Sequence, residues 1–177
     1  GEGGEGGGER FLDTVVATAT AAGASPVIVV VPPGVVVPGS ARSVVNANAT
    51  GEQIASVRLG LAQLLNTPVV GTLLWPVDHP VVGVESVLAV VDAFRRTGAP
   101  VTLPVFEGRR GHPSFFARET WRELMTVPEG EGGARAVVRA YTGRLVEVPV
   151  ADAGVTTDID TVADMPRDER RATDAVS

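Results

Sequence analysis

Apolar residues recur along this chain with two alternating periods. From Arg10 to Ala22 they fall at Phe11, Leu12, Val15, Val16 and Ala19, the spacing of one helix face, and Gly23 follows as a stop. Pro26 then leads into Val27-Ile28-Val29-Val30-Val31, a β-branched run closed by Pro32-Pro33-Gly34, which predicts a buried strand. A second short strand is expected over Ser43 to Asn46. The helical period returns from Glu52 to Leu65, through Ile54, Val57, Leu61, Leu64 and Leu65. Val69 to Trp75 reads as another buried strand that ends at Pro76, leaving Asp78 just past its carboxyl end. Val84 to Arg96 is a helix stopped by Gly98, and Pro100 to Pro104 begins a further strand.

Beyond Leu103 the elements shorten. A polar turn at Glu107 to Gly111 precedes a strand near Ser114 to Phe116, helices around Arg118 to Met125 and Gly133 to Tyr141, and a strand over Leu145 to Val148. Helix alternating with β-branched strand predicts an α/β domain in three layers, a mainly parallel sheet flanked by helices. Ligands of such sheets lie beyond the carboxyl ends of the strands, which directs attention to the segment around Asp78. Residues 1–9 are only Gly and Glu, bury nothing on their own, and are expected to form a flexible segment before a domain spanning 10–166. Residues 167–177 are charged, short of apolar anchors, and are expected to fray.

Composition narrows the functional classes. The 177 residues carry a formal charge of −6 and no cysteine, so disulfides, thiolate ligands and a cysteine nucleophile are excluded. All 15 basic side chains are arginines scattered in ones and twos, a pattern that disfavours binding to a nucleic-acid backbone. The apolar runs are too short for a transmembrane helix, and a basic-then-apolar signal peptide is not found; a cytoplasmic location is the resulting expectation. With two histidines a three-histidine zinc site is impossible, and P-loop, nucleophile-elbow and dinucleotide fingerprints do not occur.

Three segments could carry chemistry. In Trp75-Pro76-Val77-Asp78-His79-Pro80 a carboxylate is held between prolines after a strand, where it could bind a hard divalent cation or simply cap a turn. In Asp158-Ile159-Asp160-Thr161 the two aspartates of an extended segment would point the same way and could share that cation, or cap a following short helix. Gly108-Arg109-Arg110-Gly111-His112-Pro113 offers paired guanidiniums to phosphate or carboxylate oxygens, or a solvated turn.

Taken in order from Phe11 to Met165, these segments resemble the MobA/MocA-like nucleotidyltransferases, in particular the branch that attaches CMP to molybdopterin. Ser56-Val57-Arg58-Leu59-Gly60-Leu61 is similar to that family's Ser-[Leu/Val]-[Arg/Lys]-x-Gly-Leu helix, Val77-Asp78-His79-Pro80 to its Gly-Asp-x-Pro metal motif, Gly111-His112-Pro113 to its Gly-His-Pro turn, and Asp158-Ile159-Asp160-Thr161-x-x-Asp164 to its closing motif. The resemblance implies a Rossmann-like nucleotidyltransferase fold and Mg2+-dependent transfer of a nucleotide from an NTP, CTP favoured over GTP, to a molybdopterin-type acceptor with release of pyrophosphate. It places Ser56 and Arg58 beside the nucleotide, Asp78, Asp158 and Asp160 around Mg2+, and Arg110, Gly111 and His112 on the acceptor side. Two departures qualify it. The family's first strand and its Leu-Ala-Ala-Gly-x-Ser-x-Arg-Met-Gly loop have no counterpart, and neither does its phosphate-binding lysine, since the chain has no lysine. Two expectations follow: an incomplete record of a nucleotidyltransferase with impaired transfer, or a catalytically dead relative that binds a cofactor or protein partner.

Overall fold

In the computed structural model, which describes residues 5–48 and 51–159, seven strands and five helices alternate along the chain: α1 (Glu5–Ala21), β1 (Ile28–Val31), β2 (Arg42–Val45), α2 (Gln53–Ala62), β3 (Gly71–Leu74), α3 (Val84–Thr97), β4 (Val101–Phe106), β5 (Arg109–Arg110), β6 (Ser114–Ala117), α4 (Trp121–Thr126), α5 (Ala134–Ala140) and β7 (Val146–Pro149). Short 3-10 turns at Arg118–Thr120 and Ala153–Thr156 complete it. Helix α1 starts at Glu5, five residues ahead of the predicted Arg10. Glycine costs about 1 kcal/mol per helical position, which weighs against a helix in the sequence, while Phe11 and Leu12 anchor the following turn in the core.

The α/β class and the three layers hold, with strand directions more mixed than the alternation predicts. Strands β1 and β2 form a parallel pair. A second sheet runs β3-β6-β4-β5, with β7 alongside β4; β4 and β7 are parallel, whereas β6 lies antiparallel to both β3 and β4. The reason is connection length. A parallel crossover needs a dozen or more residues, and the stretch from Glu107 to Pro113 is too short, so the chain folds straight back. Its first turn is a two-residue hairpin at Glu107 and Gly108, both at positive φ (49° and 77°), which sets Phe106 opposite Arg109.

The largest core cluster joins Ile54, Leu61 and Leu64 of α2 and its C-terminal turn to Val101 and Leu103 of β4, Phe116 of β6, Trp121 and Leu124 of α4 and Val137 of α5. On the opposite face α3 contributes Val87 and Val90, and the fully buried Thr102 donates its hydroxyl to the Val90 carbonyl (3.1 Å). Leu12 and Val16 of α1 pack on Val31 of β1. Helices α1 and α3 therefore cover one face and α2, α4 and α5 the other.

Candidate active site

The turn after β3 is fixed by its own hydrogen bonds. The His79 amide donates to the Pro76 carbonyl (3.1 Å), and the Trp75 indole Nε1 donates to the His79 carbonyl (2.9 Å). Asp78 is thereby presented at the end of the strand, half exposed, with Oδ1 2.9 Å from His79 Nδ1. The Ile159 amide donates to the Asp78 carbonyl (2.7 Å), and Ile159 is buried against Phe11 of α1 and Val81. That bond ties the C-terminal acidic segment to the Asp78 turn by its backbone, and the side chain of Asp158, next to Ile159, is exposed. Asp160, the third expected metal ligand, and Asp164 lie outside the described residues.

A third strip of chain closes on the same place. Gly111 donates its amide to the Pro104 carbonyl and His112 its amide to the Val155 carbonyl, each at 2.8 Å. A side chain at Gly111 would collide with the Val155 carbonyl, and one at Gly154 with the Val81 carbonyl, so the 153–156 turn is wedged backbone to backbone between the two loops. The His112 ring meets the His79 ring edge-on, centroids 4.6 Å apart. Its Nδ1 is buried with no hydrogen-bond partner among the described residues. Burial, followed by the nearby His79, lowers its pKa to about 4; Asp78 pulls the other way and Arg135 adds to the lowering. At neutral pH His112 is an uncharged imidazole.

The other expected site residues are distributed differently. Ser56 accepts from Nδ2 of the buried Asn46 at the end of β2 (3.0 Å), and Asn46 Oδ1 in turn accepts from the Asn48 amide (2.9 Å). Arg58, two residues on, points elsewhere: its guanidinium donates to the Leu124 carbonyl (3.2 Å) and to that of Val127, clamping the C-terminal end of α4. Arg110 is on the short strand β5 rather than in a turn and pairs with Glu147 at 3.4 Å. The structure thus unites Asp78 and His112 through His79, brings only the backbone next to Asp158 to the same turn, and leaves Ser56 in a second group beyond β2. His79 belongs with the first group and is missed by sequence reasoning, although it adjoins Asp78 and is one of two histidines. Asp152 is missed as well: Oδ2 accepts from the Gly83 amide (2.9 Å) and the Ser86 hydroxyl (2.7 Å) at the start of α3, and Oδ1 from the Gly154 amide (2.8 Å). The Asp-x-Gly spacing was the available signal.

The sequence profile of the MobA-like NTP transferase domain matches residues 5–147. The chain belongs to that family. Its fold is shared with Rv0371c from Mycobacterium tuberculosis H37Rv, at a TM-score of 0.72 and 22% identity over 93% of this chain and 83% of that one. A structure of Rv0371c in complex with manganese aligns with a TM-score of 0.66 and 19% identity, over 92% and 84% of the two chains. The 2-C-methyl-D-erythritol 4-phosphate cytidylyltransferase of Thermus thermophilus aligns with a TM-score of 0.58 and 19% identity, over 94% and 88%. No curated protein sequence matches the chain significantly. Among the described residues no helix is long and apolar enough to cross a membrane.

Proposed function

We propose that this nucleotidyltransferase-family domain binds the triphosphate of an NTP, CTP in preference to GTP, through Mg2+ held at Asp78, with a molybdopterin-type acceptor approaching from the His112 side. The observation that carries this reading is the bond from the Ile159 amide to the Asp78 carbonyl, because it anchors two acidic segments together at the carboxyl end of β3. The donor set suits the ion. Mg2+ is usually held by one or two carboxylates plus phosphate oxygens rather than by an all-protein cage. The described residues offer carboxylates of that kind at Asp78 and Asp158, and no group of three or more His, Cys, Asp or Glu that could form such a cage. The bound ion would supply charge neutralisation on the phosphates.

The chain's own residues would position the reactants. Asp78 is oriented by the His79 ring, and the Trp75 indole holds the His79 carbonyl. Neutral His112 offers a hydrogen-bonding edge to an acceptor without adding a positive charge. Asn46 and Ser56 lie on the β2 side, where the nucleotide of the donor would extend. Calorimetric titration with CTP and GTP, each with and without Mg2+, tests the reading: saturable binding of CTP that requires Mg2+ and exceeds that of GTP is expected, and no binding or metal-independent binding would contradict it.

A second reading is favoured by Arg58, whose guanidinium is spent on carbonyls of α4 and the residue after it, and by the lack of any lysine. Without these cations on the phosphates, the domain would bind its ligand and perform no transfer. Pyrophosphate release in the presence of Mg2+, CTP and molybdopterin separates the two: release supports the transferase, and nucleotide binding without release supports the binding module.

A further inference from the structure

The β1–β2 pair has two ends. Its carboxyl end, at Val31 and Val45, leads to Asn46 on the candidate active-site side; its amino end, at Ile28 and Arg42, opens on a separate cleft of about 480 Å3. That cleft lies between the end of α1, the segment leading into β1 and the start of β2, and none of its lining residues takes part in the candidate active site. Its donors are unspent. The Val27 carbonyl accepts from the Arg42 amide (2.8 Å), so the Val27 amide faces the same side, where a continued parallel ladder would carry it to the Ser40 carbonyl. The chain turns there instead, the Ala41 amide donating to the Pro38 carbonyl (2.9 Å), and the Val27 amide has no partner among the described residues. Neither has the Arg42 guanidinium, nor the hydroxyls of Ser25 and Ser40, all of which line the cleft. The carbonyls at the end of α1 are spent, by contrast. Those of Ala19 and Thr20 accept from the amides of Ala24 and Gly23 (3.0 Å each), closing the helix with Gly23 at a φ of 88°. The lining holds no Asp or Glu, in a chain whose net charge is −6.

We propose that this cleft is a second ligand site, which binds the phosphate group of a small phosphomonoester at Arg42, Val27, Ser25 and Ser40. A guanidinium, a backbone amide and hydroxyls are the donor types that take up phosphate oxygens. A phosphate group presents three acceptor oxygens to such a set, where a carboxylate presents two. The rest of the wall selects an ester over the free ion, because Ala24 and Pro26 line the cleft with apolar surface that suits the carbon body of the ligand. Ser25, Pro26, Ser40 and Arg42 are exposed, so the site is open to solvent, and binding rests on the charge of Arg42 and weakens as salt is raised. The site stands apart from the nucleotide reading, since it uses neither Mg2+ nor any residue near Asp78.

The test follows the backbone amide and arginine Nε–H resonances of the isotope-labelled chain as glycerol 3-phosphate, inorganic phosphate or acetate is added, without Mg2+ and at constant ionic strength. Saturable shifts are expected with glycerol 3-phosphate at Ser25, Val27, Ser40 and Arg42. Affinity should fall about tenfold or more in Arg42→Gln, the loss expected of a charged hydrogen-bonding partner, and stay at the native value in Arg122→Gln, which removes an exposed arginine of α4. Absence of a saturable shift at Val27, or equal affinity in Arg42→Gln and the native chain, would overturn the proposal. So would acetate binding as tightly as the ester, or inorganic phosphate binding more tightly, which would assign the cleft to a carboxylate or to the free ion. Shifts confined to the loops of Asp78 and His112 would also overturn it, while leaving the nucleotide reading standing.

Discussion

At the scale of single residues, the site depends on close backbone approaches that fix an unusual imidazole. His112 is held neutral by burial, with its pKa lowered to about 4, whereas an unfolded histidine titrates near 6.5. Between these values the unfolded chain binds the proton and the native one does not, so the stability that burial leaves intact above about pH 6.5 is lost as the pH falls toward 4. The thermal midpoint of the native protein should drop more between pH 7 and pH 5 than that of His112→Gln, and equal drops would argue against a buried neutral imidazole. Gly111→Ala has to displace the Val155 carbonyl; overpacking of this kind costs about 1–3 kcal/mol, measurable as a lower urea midpoint. The sequence made Asp78, Asp158 and His112 legible because each follows the end of a strand or sits in a short polar motif. It hid the fate of Arg58, since nothing in a helical arginine announces that the carbonyls of Leu124 and Val127 lie within its reach.

At the scale of elements, periodicity located nearly every helix and strand and failed on direction. The strand at Ser114–Ala117 was legible as a strand, while its insertion between β3 and β4 depended on the short return from Phe106. Arg109 and Arg110 read as a turn because two polar residues flanked by glycine do not look like a strand; the hairpin at Glu107 and Gly108 pulls them into one. Helix α3 shows how a partner distant in sequence completes an element. Its N-cap is Gly83, which has no capping side chain, and Asp152 ties the helix start down by accepting from the Gly83 amide and the Ser86 hydroxyl. Asp152→Ala should lower stability by about 1–3 kcal/mol, the usual cost of leaving the partners of a charged hydrogen-bonding group unsatisfied, and should speed amide exchange at the start of α3. A change confined to other elements would contradict that role.

At the scale of the whole molecule, the two halves of the layer divide the site between them. Asn46, just past the β1–β2 pair, bonds Ser56, the loops of the larger sheet carry Asp78, His79 and His112, and no ladder joins the two sheets among the described residues. The α/β class was legible from the alternation of elements, and the family from the order of its motifs; the split was not, because strand pairing is a long-range property that periodicity does not encode. The central claim is that Asp78 seats the metal on which nucleotide binding depends. The most direct test is calorimetric titration of Mg2+ and CTP into the native chain and into Asp78→Ala, with circular dichroism confirming that the variant remains folded. The account predicts saturable, Mg2+-dependent binding to the native chain and none to the variant; equal affinity in the two proteins would contradict it.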